Sequence, residues 1–406
     1  WKIVHIQSKT NHTSQNVPMD ALGAKIYYGV KYMVDFKCKA CGIAIKSLPY
    51  KIGSKDIAVS SDAKLHPFAI NIYICEHCRH IQKIYASDEK RLIENIYGNY
   101  APHNISNGRE QVLFINGQTT KPRTQYVFDK CLPYLPKSGK LLDVGSGNGA
   151  VLRSASSVLQ GWRLHAYDIS MHHKDEIESI NGVERFWSGS LPDEKFDLIV
   201  SWHSLEHIED IGVFLNTIRN CLNNDGMFLI QTPDVSRNPF DMAVIDHCSH
   251  FTPCTLESIL MKYGFEIVVC GNSWIHNCLT YLCKKTVEKS MTFDHVYENP
   301  QKLIDWLNST INIFLTKSES KAYYIFGTGM ASVWIAGQMN KLPVGFLDED
   351  EHRWNGNISG VVIFPVSVLK NGDYIFMPFF NGKNLDIADK LSSIIQKKVN
   401  FIYLNQ

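Results

Sequence analysis

Residues 141–149 read Leu-Leu-Asp-Val-Gly-Ser-Gly-Asn-Gly, and this stretch decides the fold of the chain. Its first four residues read as a short buried strand, and three glycines at alternate positions then open a helix. Glycine lets the backbone turn sharply and approach a ligand closely, and the first turn of a helix offers free N–H groups to a polar or anionic group. Asp168 follows Gly149 by 19 residues and ends a second predicted strand, where a carboxylate can accept both hydroxyls of a ribose. The pattern predicts a nucleoside cofactor at this turn.

Strand-like and helix-like segments alternate around the glycine turn. This alternation predicts an α/β fold with a mostly parallel sheet, and the apolar run at 196–201 is typical of a central strand covered on both faces. The last two strands are close in sequence and are candidates for an antiparallel pair. A helix is expected at about 205–222, where apolar residues recur at helical spacing. The predicted strands are 140–144, 163–167, 183–187, 196–201, 226–231, 266–270 and 278–283.

A second, smaller unit of the same type follows. Residues 286–298 read as a linker and 300–317 as an amphipathic helix. A strand then leads into Gly327-Thr-Gly329, and Asp348 ends the strand after that, as a ribose-binding acid would. The sequence predicts a Rossmann-like domain here. Its glycine loop has two interpretations. The loop either binds a second nucleotide, or it is inherited with the fold and is then empty or faces the substrate. We favour the second interpretation.

Two C-x-x-C pairs precede the glycine turn. They are Cys38/Cys41 and Cys75/Cys78, each flanked by strand-like sequence. Two such pairs a few dozen residues apart are typical of a tetrahedral zinc site, whereas a redox motif needs no second pair. Two coincidental pairs remain the other alternative. Because four thiolates saturate the metal, we expect a structural rather than a catalytic zinc ion.

The composition limits the partners and the compartment. Lys and Arg number 41 against 40 for Asp and Glu, so no general attraction to nucleic acid is expected. No apolar run reaches membrane-spanning length, and the first residues lack the apolar core of a signal peptide. Eleven cysteines in a long chain that is not dominated by loops fit a reducing compartment. We therefore predict a cytoplasmic protein, monomeric or a small homo-oligomer, that contacts neither nucleic acid nor membrane.

The spacing within the first glycine turn selects the cofactor. NAD, FAD and S-adenosylmethionine sites all use such a turn. Here Asp143 precedes the first glycine, where it can reach the amino group of a methionine moiety, and the last two glycines are too close for a G-x-G-x-x-G pyrophosphate cradle. These details favour S-adenosylmethionine. The predicted cofactor residues are Asp143, Gly145, Ser146, Gly147, Gly149, Asp168, Ile169, Gly189, Ser190 and Trp202.

Residues 141–149, Asp168 and the stretch Phe-Asp-Leu-Ile-Val-Ser-Trp-His-Ser-Leu-Glu-His at 196–207 resemble the motifs of class I S-adenosylmethionine-dependent methyltransferases. The order of the cysteine pairs, this core and the C-terminal Rossmann-like unit resembles the three-domain, zinc-containing sugar C-methyltransferases, from about residue 31 to 406. The resemblance implies a zinc-binding domain at 1–90, a methyltransferase domain at 91–285 and a Rossmann-like domain at 286–406. It also implies a nucleotide-linked keto-deoxysugar as the substrate.

In that family a histidine removes a proton next to the sugar ketone, and the enolate attacks the sulfonium methyl group. The family carries Tyr-x-Glu-His after a strand of the core. Asp246 and His247 match its acid and its base, so the resemblance implies that His247 is the base and that Asp246 orients it. Val244 stands where the tyrosine would be, which bears on the stabilisation of the enolate and so on the choice of a carbon acceptor.

Further polar side chains surround the predicted methyl-transfer site. His203 and His207 follow the strand at 196–201, and strand ends of this kind face the ligand crevice. Tyr97 and Tyr100 lie at the entry to the same domain. Packing or capping roles are the alternative for all four, and a purely structural role is the alternative for Asp246 and His247. His247, Cys248, His250 and Cys254 offer an irregularly spaced alternative metal set. At the level of function, an O- or N-methyltransferase and a cofactor-binding protein without turnover are the alternatives.

Overall fold

The computed structural model describes residues 36–98, 110, 112–115, 119–288, 299–380, 382–395 and 397–404, with the backbone of a hairpin at 25–27 and 30–32. The prediction for Tyr100 and most of the predicted linker lie outside these residues. No helix in the described ranges is long and apolar enough to cross a membrane.

Short antiparallel strands build the N-terminal unit, by which we mean the strands up to residue 82. Within it the strands at 50–52, 70–74 and 81–82 form one sheet, and the other strands form three separate antiparallel pairs. A helix then leads away from the unit. The elements are β1 (Lys25–Tyr27), β2 (Val30–Tyr32), β3 (Phe36–Lys37), β4 (Ala44–Ile45), β5 (Tyr50–Ile52), β6 (Ala58–Val59), β7 (Leu65–His66), β8 (Ile70–Ile74), β9 (Ile81–Gln82) and α1 (Ser87–Gly98).

The central domain follows a hairpin and an entry helix. Helices cover both faces of its sheet, because successive residues of the strand at 140–144 point into two different apolar clusters. The elements are β10 (Val112–Ile115), β11 (Thr119–Pro122), α2 (Arg123–Cys131), β12 (Lys140–Val144), α3 (Ala150–Val158), β13 (Arg163–Tyr167), α4 (Lys174–Glu178), β14 (Val183–Trp187), β15 (Phe196–Trp202), α5 (Ile211–Cys221), β16 (Leu222–Pro233), β17 (Ser249–His250), α6 (Pro253–Lys262), β18 (Phe265–Cys270) and β19 (Cys278–Lys285).

Seven of these strands form one sheet in the order β14-β13-β12-β15-β16-β19-β18. The strands are parallel except for β19, which runs antiparallel to both of its neighbours. The predicted mostly parallel sheet and the antiparallel final pair are therefore confirmed. The glycine turn follows β12 at the centre of the sheet, where the strand order reverses, and such a reversal is where open α/β sheets bind ligands.

The helix expected at about 205–222 begins later than predicted. Leu205–His207 forms a separate 3-10 turn, and α5 begins at Ile211. Asp210 caps this helix, since its Oδ1 accepts the backbone N–H of Val213 at 2.9 Å. The apolar spacing continues across the break, and for this reason the pattern alone did not reveal it. The 3-10 turn places Glu206 and His207 beside the carboxyl ends of the strands instead of on the side of a helix.

The C-terminal part forms a second sheet in the order β22-β23-β21-β20-β24-β25, parallel except for β22. This is a Rossmann-like arrangement, while the domain boundaries at residues 90 and 285 stay predictions. The elements are α7 (Gln301–Ser320), β20 (Tyr323–Phe326), α8 (Met330–Gln338), β21 (Gly345–Leu347), β22 (Asn357–Ile358), β23 (Val361–Phe364), β24 (Tyr374–Phe376), α9 (Lys383–Ile395) and β25 (Asn400–Ile402).

The three parts share one apolar core. The indole Nε1 of Trp334 in α8 donates to the backbone oxygen of Ile57 in the N-terminal unit at 2.8 Å. Phe240, in the segment after β16, lies against Trp306 and Trp334 with ring centroids 5.6 and 6.3 Å apart. In addition, β17 of the central domain pairs with β9 and so extends the sheet of the N-terminal unit. The segment between β16 and β17 is therefore fixed by all three parts.

Candidate active site

The glycine turn after β12 has a backbone that other residues adopt only with strain. Gly145, Gly147 and Gly149 have φ angles of +83°, +49° and +80°. A Cβ atom on Gly145 would lie 2.3 Å from Oγ of Ser204. The turn therefore excludes side chains, and its backbone is open to a ligand at the start of α3.

Asp168 ties the end of β13 to this turn. Its Oδ2 accepts the N–H of Gly147 at 2.8 Å, and its Oδ1 accepts the N–H of Ser170 at 2.9 Å. Burial raises the pKa of Asp168, and these backbone donors act in the opposite direction. Each carboxylate oxygen keeps a second lone pair, so the group can still accept hydroxyl donors from a ribose.

Asp143 lies behind the turn and is fully buried. Neither of its carboxylate oxygens has a hydrogen-bond partner among the residues that the structure describes. Burial, followed by the negative charge of Asp168, raises the pKa of Asp143 well above its ordinary value. Buried polar atoms in folded proteins nearly always have partners. A cationic or N–H donor from a ligand or a bound water would supply the missing one, so the residues present fit a cofactor with an ammonium group.

A cavity of about 180 Å³ opens in front of the glycine turn. It brings together seven residues predicted for the site, namely Tyr97, Gly145, Gly147, Asp168, Ile169, His203 and His207. Other residues of the wall were not predicted from the sequence, among them Tyr167, Ser170, His173 and Phe214. The predicted cofactor residues outside the wall are Asp143, Ser146, Gly149, Gly189, Ser190 and Trp202.

Two of these outlying residues still contact the wall. The carbonyl oxygen of Gly189 accepts the hydroxyl of Tyr167 at 3.2 Å. The ring of Trp202 lies 6.1 Å from the ring of His203, edge to face. Gly189 and Trp202 therefore contact residues of the cavity wall without lining the cavity themselves.

His203 lies on the cavity wall in a left-handed backbone conformation, with φ of +50°. Its Nδ1 is 3.2 Å from Oε1 of the buried Glu206, and its Nε2 is 3.9 Å from Sγ of Cys278. Burial acts to lower the pKa of His203, but the contacts with Cys278 and Glu206 outweigh it and raise the pKa to about 10. His203 is therefore a cation near neutral pH and is poorly suited to accept a proton.

His207 has the opposite character. Its Nδ1 is 3.0 Å from the backbone oxygen of Asp246 and 3.0 Å from the hydroxyl of Tyr97. A carbonyl oxygen only accepts, so Nδ1 carries the proton and Nε2 holds the lone pair. Burial, and after it the charge of His247, lowers the pKa of His207. The ring is thus a neutral imidazole on the cavity wall, which is the form that a general base needs.

The prediction that Asp246 orients His247 is wrong. Nδ1 of His247 lies 2.8 Å from Oδ1 of Asp241, and Asp241 is thus the acid that orients it. Asp246 instead accepts the N–H of Ser61 at 2.9 Å as well as the Ser61 hydroxyl. The chain turns between these two residues, so adjacent positions 246 and 247 point to different partners. The pKa of His247 is raised, because Asp241 outweighs the lowering effect of burial.

The alternative metal set around His247 does not form. His250 directs its Nδ1 to the second oxygen of Asp241 at 2.6 Å, so both imidazoles are hydrogen-bonded to one carboxylate. In the described part of the chain, the groups whose ligand atoms come within 4.8 Å of one another are the four paired cysteines and the trio Glu206, His207 and His247. Cys248 and Cys254 belong to neither group.

The two C-x-x-C pairs meet in space. The sulfur of Cys38 lies 3.4 Å from that of Cys78, and the sulfur of Cys41 lies 3.7 Å from that of Cys75. All four sulfurs lie within 4.8 Å of one another, and none forms a disulfide. A tetrahedral zinc ion with Zn–S bonds of about 2.3 Å separates its sulfurs by about 3.8 Å. The four sulfurs therefore fit a zinc ion.

The second glycine loop differs from the first in the state of its acid. Oδ2 of Asp348 accepts the Thr328 hydroxyl at 2.5 Å and faces the guanidinium of Arg353 at 3.2 Å. Its Oδ1 accepts the N–H of Asp350 at 2.9 Å. The carboxylate at the ribose position is thus engaged within the protein. This favours the interpretation that the C-terminal loop is an inherited feature without a second nucleotide.

The central sheet, the glycine turn and Asp168 define the class of the central domain as a nucleoside-binding α/β domain with a histidine-lined cavity. Comparison with known proteins agrees with this class for the central domain. Residues 121–269 match the family described as a methyltransferase domain. Probable S-adenosylmethionine-dependent methyltransferases of two Mycobacterium tuberculosis strains are 24% identical over 197 residues, covering 42% of this chain and 68% of each relative.

Two further comparisons are more distant or shorter. A ubiquinone biosynthesis O-methyltransferase of Azorhizobium caulinodans is 24% identical over 154 residues, covering 32% of this chain and 60% of that protein. The structure of an S-adenosylmethionine-dependent methyltransferase from Clostridium acetobutylicum aligns with a TM-score of 0.34 and 15% identity, covering 40% of this chain and 91% of that one.

The protein is an S-adenosylmethionine-dependent methyltransferase. The matched domain and its relatives confirm the predicted class I fold and the predicted use of S-adenosylmethionine.

Proposed function

We propose that this enzyme methylates a nucleotide-linked keto-deoxysugar at the carbon next to the ketone. The observation that carries the proposal is the neutral His207 on the cavity wall, beside the cofactor turn. Methyl transfer from a sulfonium needs little acid–base assistance, whereas a C–H or O–H acceptor needs a base. A base held at the mouth of the glycine turn is therefore evidence for an acceptor that must lose a proton.

The residues of the turn and its surroundings would hold the cofactor. Asp168 would accept the ribose hydroxyls, the backbone at Gly145 and Gly147 would contact the ligand, and Asp143 would receive the ammonium group directly or through a water molecule. When bound, S-adenosylmethionine supplies an electrophilic methyl group. The protein contributes proximity, because it holds the acceptor in line with that group.

We assign proton removal to His207 and His247 together. Their rings meet edge to face with centroids 4.7 Å apart. His207 lines the cavity, whereas His247 lies directly behind it and is held by Asp241. On this assignment His207 receives the proton of the acceptor. The resemblance instead implies that His247 receives this proton. The two assignments, His207 or His247 as the base, predict different pH dependences of the rate.

Tyr97 supplies the phenol that the sequence lacks at position 244. The Val244 side chain is fully buried and apolar, so it contributes nothing to an oxyanion. The hydroxyl of Tyr97 lies 3.0 Å from Nδ1 of His207 on the same wall. A phenol at this position donates to the developing enolate oxygen, and a single donor of this type contributes about 3 kcal/mol to transition-state stabilisation.

A cluster of cations favours a phosphate-bearing acceptor. The pKa of Lys383 is lowered by burial and then by the charge of Arg123, and that of His276 by burial and then by Lys383 and Arg237. Lys383 begins α9, whereas Arg123, Arg237 and His276 belong to the central domain. The lowered pKa of His276 leaves its ring neutral near neutral pH, and Arg237 faces Asp234. A diphosphate would relieve the repulsion between Lys383 and Arg123.

The paired cysteines would hold a zinc ion with a structural role. Four protein ligands leave no open position for a substrate or water. The N-terminal unit that carries them contributes Ser61 to Asp246 and packs on α8, so it supports the segment that carries Asp246 and His247.

The second candidate function is methylation of an oxygen acceptor, which the valine at position 244 favours. Hydrogen exchange distinguishes a carbon acceptor from an oxygen acceptor. The enzyme is incubated in heavy water with a nucleotide-linked keto sugar and S-adenosylhomocysteine, and the sugar is analysed by NMR. The proposal predicts loss of the C–H signal next to the ketone, at a rate reduced at least 100-fold in His207→Gln. Methylation of the same sugar without any exchange would assign the methyl group to oxygen.

A further inference from the structure

Lys83 is a buried lysine in contact with the segment that carries His247. It is 3% exposed and follows Cys78 by five residues. Its Nζ lies 2.6 Å from the backbone oxygen of Val244, 2.8 Å from that of His247 and 3.1 Å from Nε2 of His250. An ammonium group has three N–H donors, so every donor of Lys83 has one acceptor. A lysine whose donors are all engaged in this way is held in one orientation.

These contacts fix the direction of a hydrogen-bond chain. Because an ammonium group only donates, Nε2 of His250 accepts and the proton of that ring is on Nδ1. This Nδ1 donates to Oδ2 of Asp241, and the other carboxylate oxygen accepts from Nδ1 of His247 at 2.8 Å. All four side chains are at most 3% exposed. Water therefore does not substitute for a missing member, and the lone pair of His247 is kept on Nε2.

We propose that Lys83 is a positioning residue for His247, acting through His250 and Asp241. Without its donation, the His250 ring can present the unprotonated Nδ1 to Asp241 or take up a second proton. The first change places a lone pair against a carboxylate, and the second draws the charge of Asp241 away from His247. The proposal deepens the proposed function and rests on it for the role of His247. The hydrogen-bond chain itself does not depend on the acceptor.

The position of Lys83 links this chain to the cysteine cluster. Lys83 directly follows β9, and its backbone N–H donates to the oxygen of Cys248 at 3.0 Å. β9 in turn follows the C-x-x-C pair of Cys75 and Cys78 and pairs with β17. The N-terminal unit thus contributes a charged side chain to the catalytic segment in addition to packing against it.

The electrostatics agree with this direction of donation. Burial lowers the pKa of Lys83 to about 7, with acidic neighbours acting in the opposite direction. Burial and then the charge of Lys83 lower the pKa of His250 to about 4. Between these two pKa values His250 is neutral while Lys83 is charged. The groups that face Lys83 are Lys39, Asp241, Asp246, Cys248 and His250, and those that face His250 are His80, Lys83, Asp241 and His247.

Imidazole ¹⁵N NMR of the full-length protein tests the proposal without any acceptor. In the wild type we expect His250 to stay in the Nδ1–H form from pH 5 to about 6.5, where Lys83 is charged, with the pKa of His250 at about 4. Lys83→Met should raise that pKa by about one pH unit or more and mix the two tautomers of His247, while Lys83→Arg should retain the wild-type spectrum. His250→Gln and His247→Gln assign the signals. Unchanged zinc content and S-adenosylmethionine affinity show that the variants are folded.

An identical His250 titration in the wild type and Lys83→Met would overturn the proposal. If Lys83→Met does not fold, the wild-type titration decides alone, since a His250 pKa near 6.5 is incompatible with the chain of donors. Because no acceptor is used, the expected spectra together with failure to methylate any nucleotide sugar would contradict only the proposed function.

Discussion

The imidazoles of His207 and His247 meet edge to face at the cavity wall, with ring centroids 4.7 Å apart. Their surroundings bias them in opposite directions, because burial lowers the pKa of His207 while Asp241 raises that of His247. Neighbouring titratable groups with separated pKa values are typical of acid–base sites. The pair therefore offers one imidazole whose pKa is lowered, which is ready to accept a proton, and a second imidazole whose pKa is raised by Asp241.

The acid limb of the pH–rate profile distinguishes the two histidines. A base must be unprotonated, so activity falls as the pH drops through its pKa. We expect kcat/KM to be constant at neutral pH and to fall with a midpoint below 6.5, the ordinary histidine value, because the pKa of His207 is lowered. A midpoint above 6.5 would instead assign the proton transfer to His247, whose pKa is raised. Initial rates between pH 5 and 9 are the measurement.

Substitution of each histidine provides the control for that profile. His207→Gln and His247→Gln should each lower kcat by about 100- to 10,000-fold, the range for a lost general base. The affinity for S-adenosylmethionine, measured by calorimetry, should be unchanged in both. Loss of cofactor binding in either variant would show that the histidine belongs to the cofactor site instead.

Asp168 and Asp348 form a matched pair for testing cofactor recognition. Both acids end the second strand of a Rossmann-like unit, but Asp348 is engaged by Thr328 and Arg353. Asp168→Asn should weaken S-adenosylmethionine binding roughly 10- to 100-fold, as expected for lost hydrogen bonds to a charged acceptor. Asp348→Asn should leave the affinity unchanged. Equal losses in the two variants would mean that the effect is one of global stability.

Metal content tests the cysteine cluster. We expect about one zinc ion per chain after purification without chelators, and less in Cys41→Ser, together with a lower melting temperature, because structural zinc contributes to folding. Cys131→Ser is the control, since that cysteine is buried in the central domain, away from the cluster. A wild-type protein without zinc, or a Cys41→Ser variant with full zinc content, would contradict the assignment.

Lys383 and Lys390 lie on the same helix and provide a matched test of the cation cluster. Lys383 feels the charge of Arg123, whereas Lys390 forms an exposed ion pair with Glu349 at 2.8 Å. Lys383→Met should raise KM for a nucleotide-linked acceptor about 10-fold through the loss of one phosphate contact, with KM for S-adenosylmethionine unchanged. Lys390→Met should change neither. A Lys383→Met variant with wild-type KM would remove the cluster from the acceptor site.

The sequence predicts the central sheet well because its signals are local. Each strand of that sheet is long enough, and apolar enough, for its position to be read from the pattern of residues. The cysteine cluster is predicted equally well from the C-x-x-C pairs, since each pair brings its own two sulfurs together within one turn. The start of α5 was predicted too early because the apolar spacing continues through the 3-10 turn at Leu205–His207.

The residues around His247 were harder to predict because their contacts are tertiary. Asp241 precedes His247 by six residues, and only the 3-10 turn at Pro239–Ala243 brings its carboxylate to the ring. Lys83 is charged and follows a metal-type knuckle, where a solvent-exposed lysine is the ordinary expectation. The available signal was a histidine pair at 247 and 250 with two acids, Asp241 and Asp246, shortly before it, and this signal does not distinguish between the two acids.

Transfer of labelled methyl from S-adenosylmethionine to paired acceptors tests the central claim most directly. Each nucleotide-linked keto-deoxysugar is assayed beside the same sugar without its nucleotide, and the products are identified by mass spectrometry and NMR. The proposed function predicts label in the nucleotide-linked sugar, in a methyl group bonded to the carbon next to the ketone, and at least 10-fold less in the free sugar. Label on oxygen or nitrogen, or in no nucleotide sugar of the panel while another small molecule is methylated, would contradict it.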